Sequence, residues 1–435
     1  MEQIKPLTLR RNFSWTFAGN AVYAACQWGM LIVLAKLGSP EIVGQFTLGL
    51  AVTAPVIMLT NLSLRNVQAT DAKHKYQFGD YLGLRLIATT LGLLIILGIT
   101  IASGYSQQTS LVILTIGLAK GFESISDVFY GLIQQHERMN RIAISMMIKG
   151  LLSLLLLTIG IYFTGNVLWG SVGLAIAWAI ILLNYDVPSG ALMLKTRPWQ
   201  RGKQKSTQTF SHLLHPHWHL KTLGQLTWLA LPLGVVMMLI SLNSNIPRYF
   251  IESYLGEREL GIFAALAYLM VAGNMVIAAL GQSASPRLAK YYATGNLQAF
   301  RTLLIKLVGM GTAVGVVAVL IAMVAGRELL TIIYQPEYAG EQVLFVQLMV
   351  AAAIGYVASF LGYGITAARY FVIQIPLFVA VTGTSAIASL WLIPLMGLSG
   401  AALALILSAF VQTIFSLGVI FYALSKIPKP GEMEI

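Results

Sequence analysis

Charged residues are scarce in this sequence. They make up 10% of the 435 residues, whereas residues of the set AVILMFWYC make up 57%. Soluble domains carry about 25% charged residues, and a chain this apolar would not stay dispersed in water. The composition therefore excludes a cytosolic enzyme, a nucleic-acid-binding protein and a disordered protein. It indicates a polytopic membrane protein.

Cysteine is nearly absent, and acidic residues are few. The single cysteine, Cys26, lies in an apolar segment, so the sequence predicts neither an intrachain disulfide nor a CxxC metal site. There are 16 Asp and Glu residues against 28 Lys and Arg, a formal net charge of +12. In a membrane protein such an excess is typical of cytoplasmic loops rather than of nucleic-acid binding. The phosphate-binding pattern GxxxxGK[ST] is also missing, so we expect no nucleotide or other cofactor.

Twelve apolar segments are long enough to cross a membrane, since about 20 helical residues span roughly 30 Å of hydrocarbon. They lie at 13–36, 41–64, 80–103, 109–133, 141–164, 167–194, 222–245, 257–283, 301–325, 340–366, 371–394 and 398–424. Their apolar character is too continuous for the alternating pattern of a membrane β-barrel. We therefore expect an all-α integral membrane protein with twelve transmembrane helices.

Positive residues concentrate in alternate loops between these segments. The N-terminus, the loops that follow even-numbered segments and the C-terminus carry most of the Lys and Arg residues. The loops that follow odd-numbered segments carry Lys36, Arg248, Arg258 and Arg327. Because cytoplasmic loops collect Lys and Arg, this alternation predicts a cytoplasmic location for both termini.

The sequence contains a weak internal repeat. Residues 37–46, LGSPEIVGQF, are similar to residues 255–263, LGERELGIF, and the segment that begins at Gly173 is similar to the one that begins at Gly400. Both offsets are close to half of the chain length. Six helices per half is an even number, so the two halves have the same orientation in the membrane.

This repeat predicts two pseudo-symmetric six-helix bundles around a central cavity. The bundles comprise residues 1–194 and 222–435, and a basic cytoplasmic linker, residues 195–221, joins them. Transporters built from parallel repeats bind their substrate where the halves meet and expose it to each side in turn. The pattern therefore favours a transporter.

Three stretches carry a resemblance to a known family. The stretch 62–86 resembles the loop after the second span of polysaccharide-biosynthesis flippases. The stretch 119–150 resembles their passage from the fourth to the fifth span, and the stretch 283–300 resembles their loop after the eighth span. These flippases belong to the multidrug/oligosaccharidyl-lipid/polysaccharide exporter superfamily, which has the same arrangement of six and six spans. The resemblance covers the whole chain and does not identify a sugar.

The resemblance implies a substrate and a location. The substrate is an undecaprenyl-diphosphate-linked oligosaccharide, which the transporter moves across the bacterial inner membrane for O-antigen or exopolysaccharide synthesis. The partners that it implies are this substrate, membrane lipid and a polysaccharide polymerase or export machinery. The diphosphate and the sugars cannot cross hydrocarbon unaided, so a polar cationic cavity has to replace their hydration.

Two other kinds of transporter in the superfamily fit the sequence less well. Multidrug exporters usually carry an acidic residue in the first or seventh span, and segments 13–36 and 222–245 contain none. Peptidoglycan-precursor flippases have fourteen spans, whereas twelve are predicted here. A cation-coupled small-molecule exporter of the same superfamily remains the alternative function.

A membrane enzyme is a further alternative of a different class. A polymerase of lipid-linked repeats needs a large periplasmic loop, and the loops predicted on that side are short. An acyltransferase needs a buried histidine with an acidic partner, and all six histidines lie outside the predicted spans or at their inner edges. The sequence therefore favours a transporter over an enzyme.

Four cations and two amides are candidate substrate-binding residues. Arg65 and Arg287 lie at the inner ends of the second and eighth spans, while Lys36 and Arg248 lie at the outer ends of the first and seventh. Arginine suits a diphosphate because its guanidinium binds phosphate in a bidentate manner. Ordinary positive flanking residues explain the same pattern, as does snorkelling of Lys36. The amides, which suit sugar hydroxyls or interhelical hydrogen bonds, are Asn243 and Asn245.

Ionisable residues inside the spans form a second candidate site. Lys120, Glu123 and Asp127 lie at i, i+3 and i+7 of the fourth span, on one face of a helix. One interpretation is a structural network in which Lys120 pairs with Glu123 and Asp127 pairs with Lys149 of the fifth span. The other is a role in ion coupling or sugar binding.

The linker carries the sequence HLLHPHWH at residues 212–219. Such spacing occurs in zinc sites, but no cysteine or acid is near enough in sequence to complete one, and Pro216 interrupts the run. We therefore predict no metal site. An amphipathic stretch on the inner leaflet is the favoured interpretation.

Overall fold

The computed structural model describes residues 7–71, 75–195, 214–368, 370 and 372–425. Within these ranges the chain is helical and contains no β-strand. The all-α prediction is therefore confirmed for the described residues. Most of the predicted linker, residues 196–213, lies outside them, and so does His212.

Contacts between residues divide the chain into two compact units, 1–238 and 239–435. The described helices up to the linker are α1 Leu9–Leu37, α2 Pro40–Asn61, α3 Leu64–Thr70, α4 Phe78–Ala102, α5 Gln107–Gln135, α6 Met139–Thr164, α7 Val167–Ile181 and α8 Val187–Lys195. A π-helical segment, Leu182–Asp186, joins α7 to α8 without a break. The linker region ends in α9, Leu220–Leu255.

The remaining helices belong to the second unit. They are α10 Glu257–Tyr268, α11 Met270–Ala293, α12 Leu297–Ile333, α13 Gln342–Ala367, α14 Gln374–Met396 and α15 Leu398–Ser425, with a 3₁₀ turn, Pro336–Glu341, before α13. The boundary between the units falls inside α9. The start of α9 packs into the first unit, because Leu223, Leu226 and Ala230 belong to its hydrophobic core.

Eleven helical stretches are long and apolar enough to cross a membrane. The predicted fourth span corresponds to α5, which is not one of the eleven although its 29 residues exceed the required length. It carries Lys120, Glu123 and Asp127, and these charges lower its hydropathy. The described residues thus contain one fewer candidate span than the sequence predicts.

Several predicted spans differ from straight helices. The second breaks between α2 and α3 at Leu62 and Ser63, whose φ angles of 52° and 49° are left-handed and reverse the local helical path. The eighth breaks at Leu269, between α10 and α11. The sixth contains the π-helical segment. Apolar composition predicts that a segment is buried in lipid but does not predict where its helix bends.

Two glycines of the predicted repeat let helices approach closely. A Cβ atom added to Gly173 of α7 would lie 2.7 Å from the carbonyl oxygen of Leu156 in α6. One added to Gly400 of α15 would collide with the carbonyl group of Leu392 in α14. Gly173 and Gly400 therefore each pack against the backbone of the preceding long helix.

Candidate functional site

An arginine–aspartate cluster lies in the first unit where α3, α4 and α5 meet. Asp127 of α5 accepts from Arg85 of α4, with 3.1 Å between Oδ2 and Nη2, and its Oδ1 lies 3.6 Å from Nη1 of Arg65 in α3. The break at Leu62 and Ser63 sets the direction of α3 and thereby brings Arg65 to α5. One carboxylate thus contacts two guanidinium groups.

The two arginines differ in exposure. The Arg85 side chain is fully buried and also donates to Asn61, and its Nε has no hydrogen-bond partner. The Arg65 side chain is 28% exposed, donates to Gln134 over 3.0 Å and lies over the Tyr130 ring. Arg85 is therefore a structural counterion for Asp127, whereas Arg65 presents part of its guanidinium at the surface of the unit.

Arg85 was not among the predicted site residues, although it lies inside the predicted span 80–103. The structure places it in the eighth position of α4, two helical turns from the start of that helix. This position inside the span could have identified Arg85 from the sequence, because a cation this far inside a span needs a buried partner.

The predicted pairing of Asp127 with Lys149 is wrong. Asp127 pairs with the two arginines, and Lys149 of α6 pairs with Asp186, at 3.6 Å between Nζ and Oδ2. Lys149 and Asp186 are 2% and 0% exposed. Asp186 lies in the π-helical segment, whose altered turn no sequence pattern indicated. Asp186 is nevertheless an acidic residue inside a predicted span, and that same property singled out Glu123 in the sequence.

Hydrogen bonds extend this buried pair into a network. Lys149 donates to the Tyr130 hydroxyl over 3.0 Å, Tyr130 contacts Ser145 at 2.7 Å, and Ser145 donates to Asp186. The network joins α5, α6 and the π-helical segment, so it fixes how these elements pack.

Lys120 and Glu123 form the expected ion pair, at 2.9 Å between Nζ and Oε2. Tyr23 of α1 donates to the other carboxylate oxygen over 3.0 Å, and Lys120 lies 4.8 Å from the centre of the Trp178 ring. Both charged side chains are partly exposed. Whether this pair acts in ion coupling stays a prediction.

The second unit contains an open cavity of about 620 Å³. Arg248 and Asn243 of α9 line it, together with further amide and hydroxyl side chains. These are Ser244, Asn274, Ser359, Tyr363, Thr366, Gln374, Gln412 and Ser416. No lining residue among the described part of the chain is acidic. The cavity thus combines one cation with many neutral hydrogen-bonding groups.

Two buried polar atoms at this cavity lack hydrogen-bond partners. They are Nε of Arg248 and Oδ1 of Asn243. Arg248 donates through Nη1 to Asn245 over 3.1 Å, so Asn245 orients the arginine although it does not line the cavity. Unpartnered buried donors and acceptors cost free energy unless a ligand or water pairs with them. The cavity therefore suits a polar ligand.

The other two predicted cations lie elsewhere. Arg287 of α11 lines a different cleft of the second unit, which shares no lining residue with the Arg248 cavity. Lys36 is exposed in the last turn of α1. The sequence grouped four cations into one path. Within the second unit, Arg248 lies with the predicted amides and Arg287 does not.

Among the described residues, no group of three His, Cys, Asp or Glu side chains is placed to hold a metal ion. His217, from the histidine run, instead contacts Asp80 at the start of α4, with 3.0 Å between Nδ1 and Oδ1. The backbone of His217 also packs directly on Gly79 and Gly83. This part of the run therefore anchors the chain before α9 onto α4.

Comparison with known proteins finds a relative in sequence and several structures with a similar fold. The chain is 29% identical over 404 residues to the capsular polysaccharide biosynthesis protein CapF of Staphylococcus aureus, covering 93% of this chain and 97% of that protein. The fold is similar to that of the lipid II flippase MurJ in an inward closed conformation, with a TM-score of 0.67, 11% identity and coverage of 95% and 90%.

A multidrug-resistance transporter of the MATE family and MOP superfamily, in an inward-facing conformation, is also similar in fold. Its TM-score is 0.63 at 14% identity, with coverage of 95% of this chain and 100% of that one. Residues 9–292 match the family described as polysaccharide biosynthesis protein. This match spans more than half of the sequence, and the chain therefore belongs to the polysaccharide biosynthesis protein family.

Proposed function

We propose that this membrane protein is a flippase for undecaprenyl-diphosphate-linked oligosaccharides. It works by alternating access and supplies units for a surface polysaccharide, and it catalyses no bond making. In this proposal α5 also crosses the membrane, which raises the number of spans from eleven to twelve. The protein lies in the bacterial inner membrane, and both termini are cytoplasmic. A polysaccharide polymerase or export machinery takes up the translocated unit.

The Arg248 cavity is the observation that carries the proposal. Sugars present many hydroxyl groups, and the lining amides and hydroxyls can donate to them and accept from them. Arg248 supplies positive charge, and its unpartnered Nε is a free donor for a phosphate or a sugar carboxylate. A volume of about 620 Å³ is within the usual range for small-molecule sites.

The absence of acidic residues from the described lining of this cavity favours an anionic or neutral ligand over a cationic drug. A cationic compound transferred from water needs a counter-charge, because an unpaired charge in a low-dielectric site is costly. Arg248 would repel such a compound. The cavity thus supports the oligosaccharide-lipid substrate over the alternative of a small-molecule exporter for cations.

The partly exposed Arg65 is the second proposed contact for the diphosphate. Asp127 holds its guanidinium through Nη1 and Gln134 through Nε. A diphosphate that approached Arg65 would compete with Asp127 for the same guanidinium. Before the substrate binds, Asp127 and Gln134 hold the arginine in position, and this reduces the entropy that is lost on binding.

Deletion of the gene and assay of lipid-linked sugars test this function. In membrane vesicles of the deletion strain, we expect lipid-linked oligosaccharide on the cytoplasmic leaflet and loss of the surface polymer. Arg248→Ala should lower the rate of translocation about tenfold or more, because a charged hydrogen bond to substrate is lost. Arg327→Ala, at an exposed position outside the cavity, is the matched control.

Two outcomes would contradict the proposal. Normal surface polysaccharide in the deletion strain, with greater sensitivity to cationic dyes, would assign the chain to the exporter branch. Equal translocation by Arg248→Ala and Arg327→Ala, at equal protein levels, would remove the cavity from the substrate path.

A further inference from the structure

A second cleft, of about 520 Å³, lies in the second unit between the end of α11 and the start of α12. Its lining contains two cations, Arg287 and Lys306. Four hydrogen-bonding side chains also line it, namely Tyr291, Asn296, Gln298 and Thr302, and the other two lining residues are Ala299 and Leu303. None of the residues that line it is acidic. The cleft therefore presents positive charge together with neutral donors.

The surrounding sequence leaves this charge uncompensated. Residues 260–327 contain no Asp or Glu, and four cations fall between residues 287 and 306 of that stretch. Neither Arg287 nor Lys306 forms an ion pair with a described residue. Because no acid among the described residues pairs with either cation, an anion at the cleft would meet no competing carboxylate on its lining.

The polar residues that line the cleft share one face on each helix. Arg287 and Tyr291 are four residues apart on α11, and Gln298, Thr302 and Lys306 follow the same spacing on α12, so each set shares a helix face. The N-terminal turn of α12 also borders the cleft. The partial positive charge at a helix N-terminus adds to the charge of the two side chains.

Apolar surface adjoins the cleft. On α12, Ile305 is 69% exposed and Met310 is 45% exposed, in the turns that carry Lys306. A ligand that joined a phosphate group to an acyl chain would satisfy both surfaces at once, whereas free phosphate would leave the apolar one uncovered.

We propose that this cleft binds the phosphate group of an anionic membrane lipid. Arg287 provides the bidentate guanidinium, Lys306 provides a point charge, and the hydroxyl and amide side chains donate to the remaining phosphate oxygens. Basic pockets between membrane helices are suited to such head groups. The inference goes beyond the transport cycle, because it concerns a resident lipid rather than the transported one.

Native mass spectrometry of the purified full-length protein in detergent tests the proposal. The probes are dioctanoyl-phosphatidylglycerol, dioctanoyl-phosphatidylcholine and inorganic phosphate at equal concentrations. We expect bound phosphatidylglycerol in preference to the other two. Arg287→Gln combined with Lys306→Gln should weaken that binding about tenfold or more, since two charged contacts are removed.

Lys290→Gln combined with Arg301→Gln is the matched control. It removes the same charge from the same stretch of chain, but neither residue lines the cleft. We expect it to weaken lipid binding less than threefold, through screened long-range attraction alone. Arg287→Lys, which keeps the charge, should bind at an intermediate level.

Three results would overturn the proposal. Equal weakening by the two double variants would show that net charge, not the cleft, attracts the lipid. Equal binding of the two phospholipids would remove the role of the anionic head group. Binding of inorganic phosphate without the lipid would assign the cleft to a soluble anion. The assay needs no transport, so its result is independent of the proposed flippase activity.

Discussion

The charges around Asp127 determine how much each neighbouring arginine contributes to the stability of the protein. Arg85 is fully buried, so its charge is compensated mainly by this one carboxylate, whereas Arg65 is partly exposed to solvent. Removing one partner of a buried ion pair costs more than removing both, because the remaining charge is left without compensation. Asp127 should therefore matter for stability first through Arg85 and only second through Arg65.

We predict that Asp127→Asn destabilises the protein by about 3 kcal/mol, since it leaves the Arg85 guanidinium buried without a counter-charge. Thermal unfolding in detergent measures the change. The double variant Arg85→Met with Asp127→Asn should recover part of the loss, because it removes the buried charge as well.

Glu328→Gln provides the control for this prediction. Glu328 is an exposed acid on α12, and neutralising it should change stability by less than about 0.5 kcal/mol. If the double variant were as unstable as Asp127→Asn or less stable, the loss would come from packing and not from the unpaired Arg85 charge.

Helix pairs within each unit depend on glycines that remove a side chain at the contact. Gly160 and Gly173 both lie where α6 meets α7, and a Cβ atom on Gly160 would come 2.6 Å from the carbonyl oxygen of Trp169. Because lipid provides little hydrophobic driving force between helices, close backbone approach supplies much of their attraction. Even one methyl group at such a contact should separate the helices.

We predict that Gly173→Ala lowers the free energy of unfolding by about 1–3 kcal/mol, since the methyl group would overlap the Leu156 carbonyl. Gly98→Ala in α4 is the matched control. A Cβ atom there meets no atom within 4 Å, so the better helix propensity of alanine should leave stability unchanged or raise it by up to about 1 kcal/mol. Equal effects of the two substitutions in urea or thermal unfolding would refute the role of close packing.

The number of membrane crossings depends on α5. Its 29 residues are enough to cross, and its three charged side chains all have partners within the first unit. A charged helix can cross a membrane when its ionisable groups face protein or a cavity instead of lipid. The twelve-span arrangement therefore requires that the loops on the two sides of α5 lie on opposite sides of the membrane.

Cysteine labelling in intact cells measures this directly. In a Cys26→Ser background, Ser103→Cys before α5 and Glu137→Cys after it introduce single exposed thiols. We predict that a membrane-impermeant maleimide labels the first in intact cells and the second only after permeabilisation. Labelling of both positions from the same side would mean that α5 does not cross.

Composition was sufficient to predict a polytopic, all-helical membrane protein and most of its helices, because the transfer of apolar residues out of water depends on their number and continuity and not on their partners. The same rule located Lys120, Glu123, Asp127 and Lys149 as ionisable residues inside spans. The family was also recognisable from short motifs. These properties are local, so the linear chain contains them.

The partners of those ionisable residues depend on how the helices rotate and where they bend. The left-handed residues Leu62 and Ser63 bring Arg65 to Asp127, and the π-helical segment brings Asp186 to Lys149. The separation of Arg287 from the Arg248 cavity likewise follows from the packing of α9, α11 and α12. Such contacts join residues far apart in sequence, and their energies decide between pairings that the chain order leaves equally open.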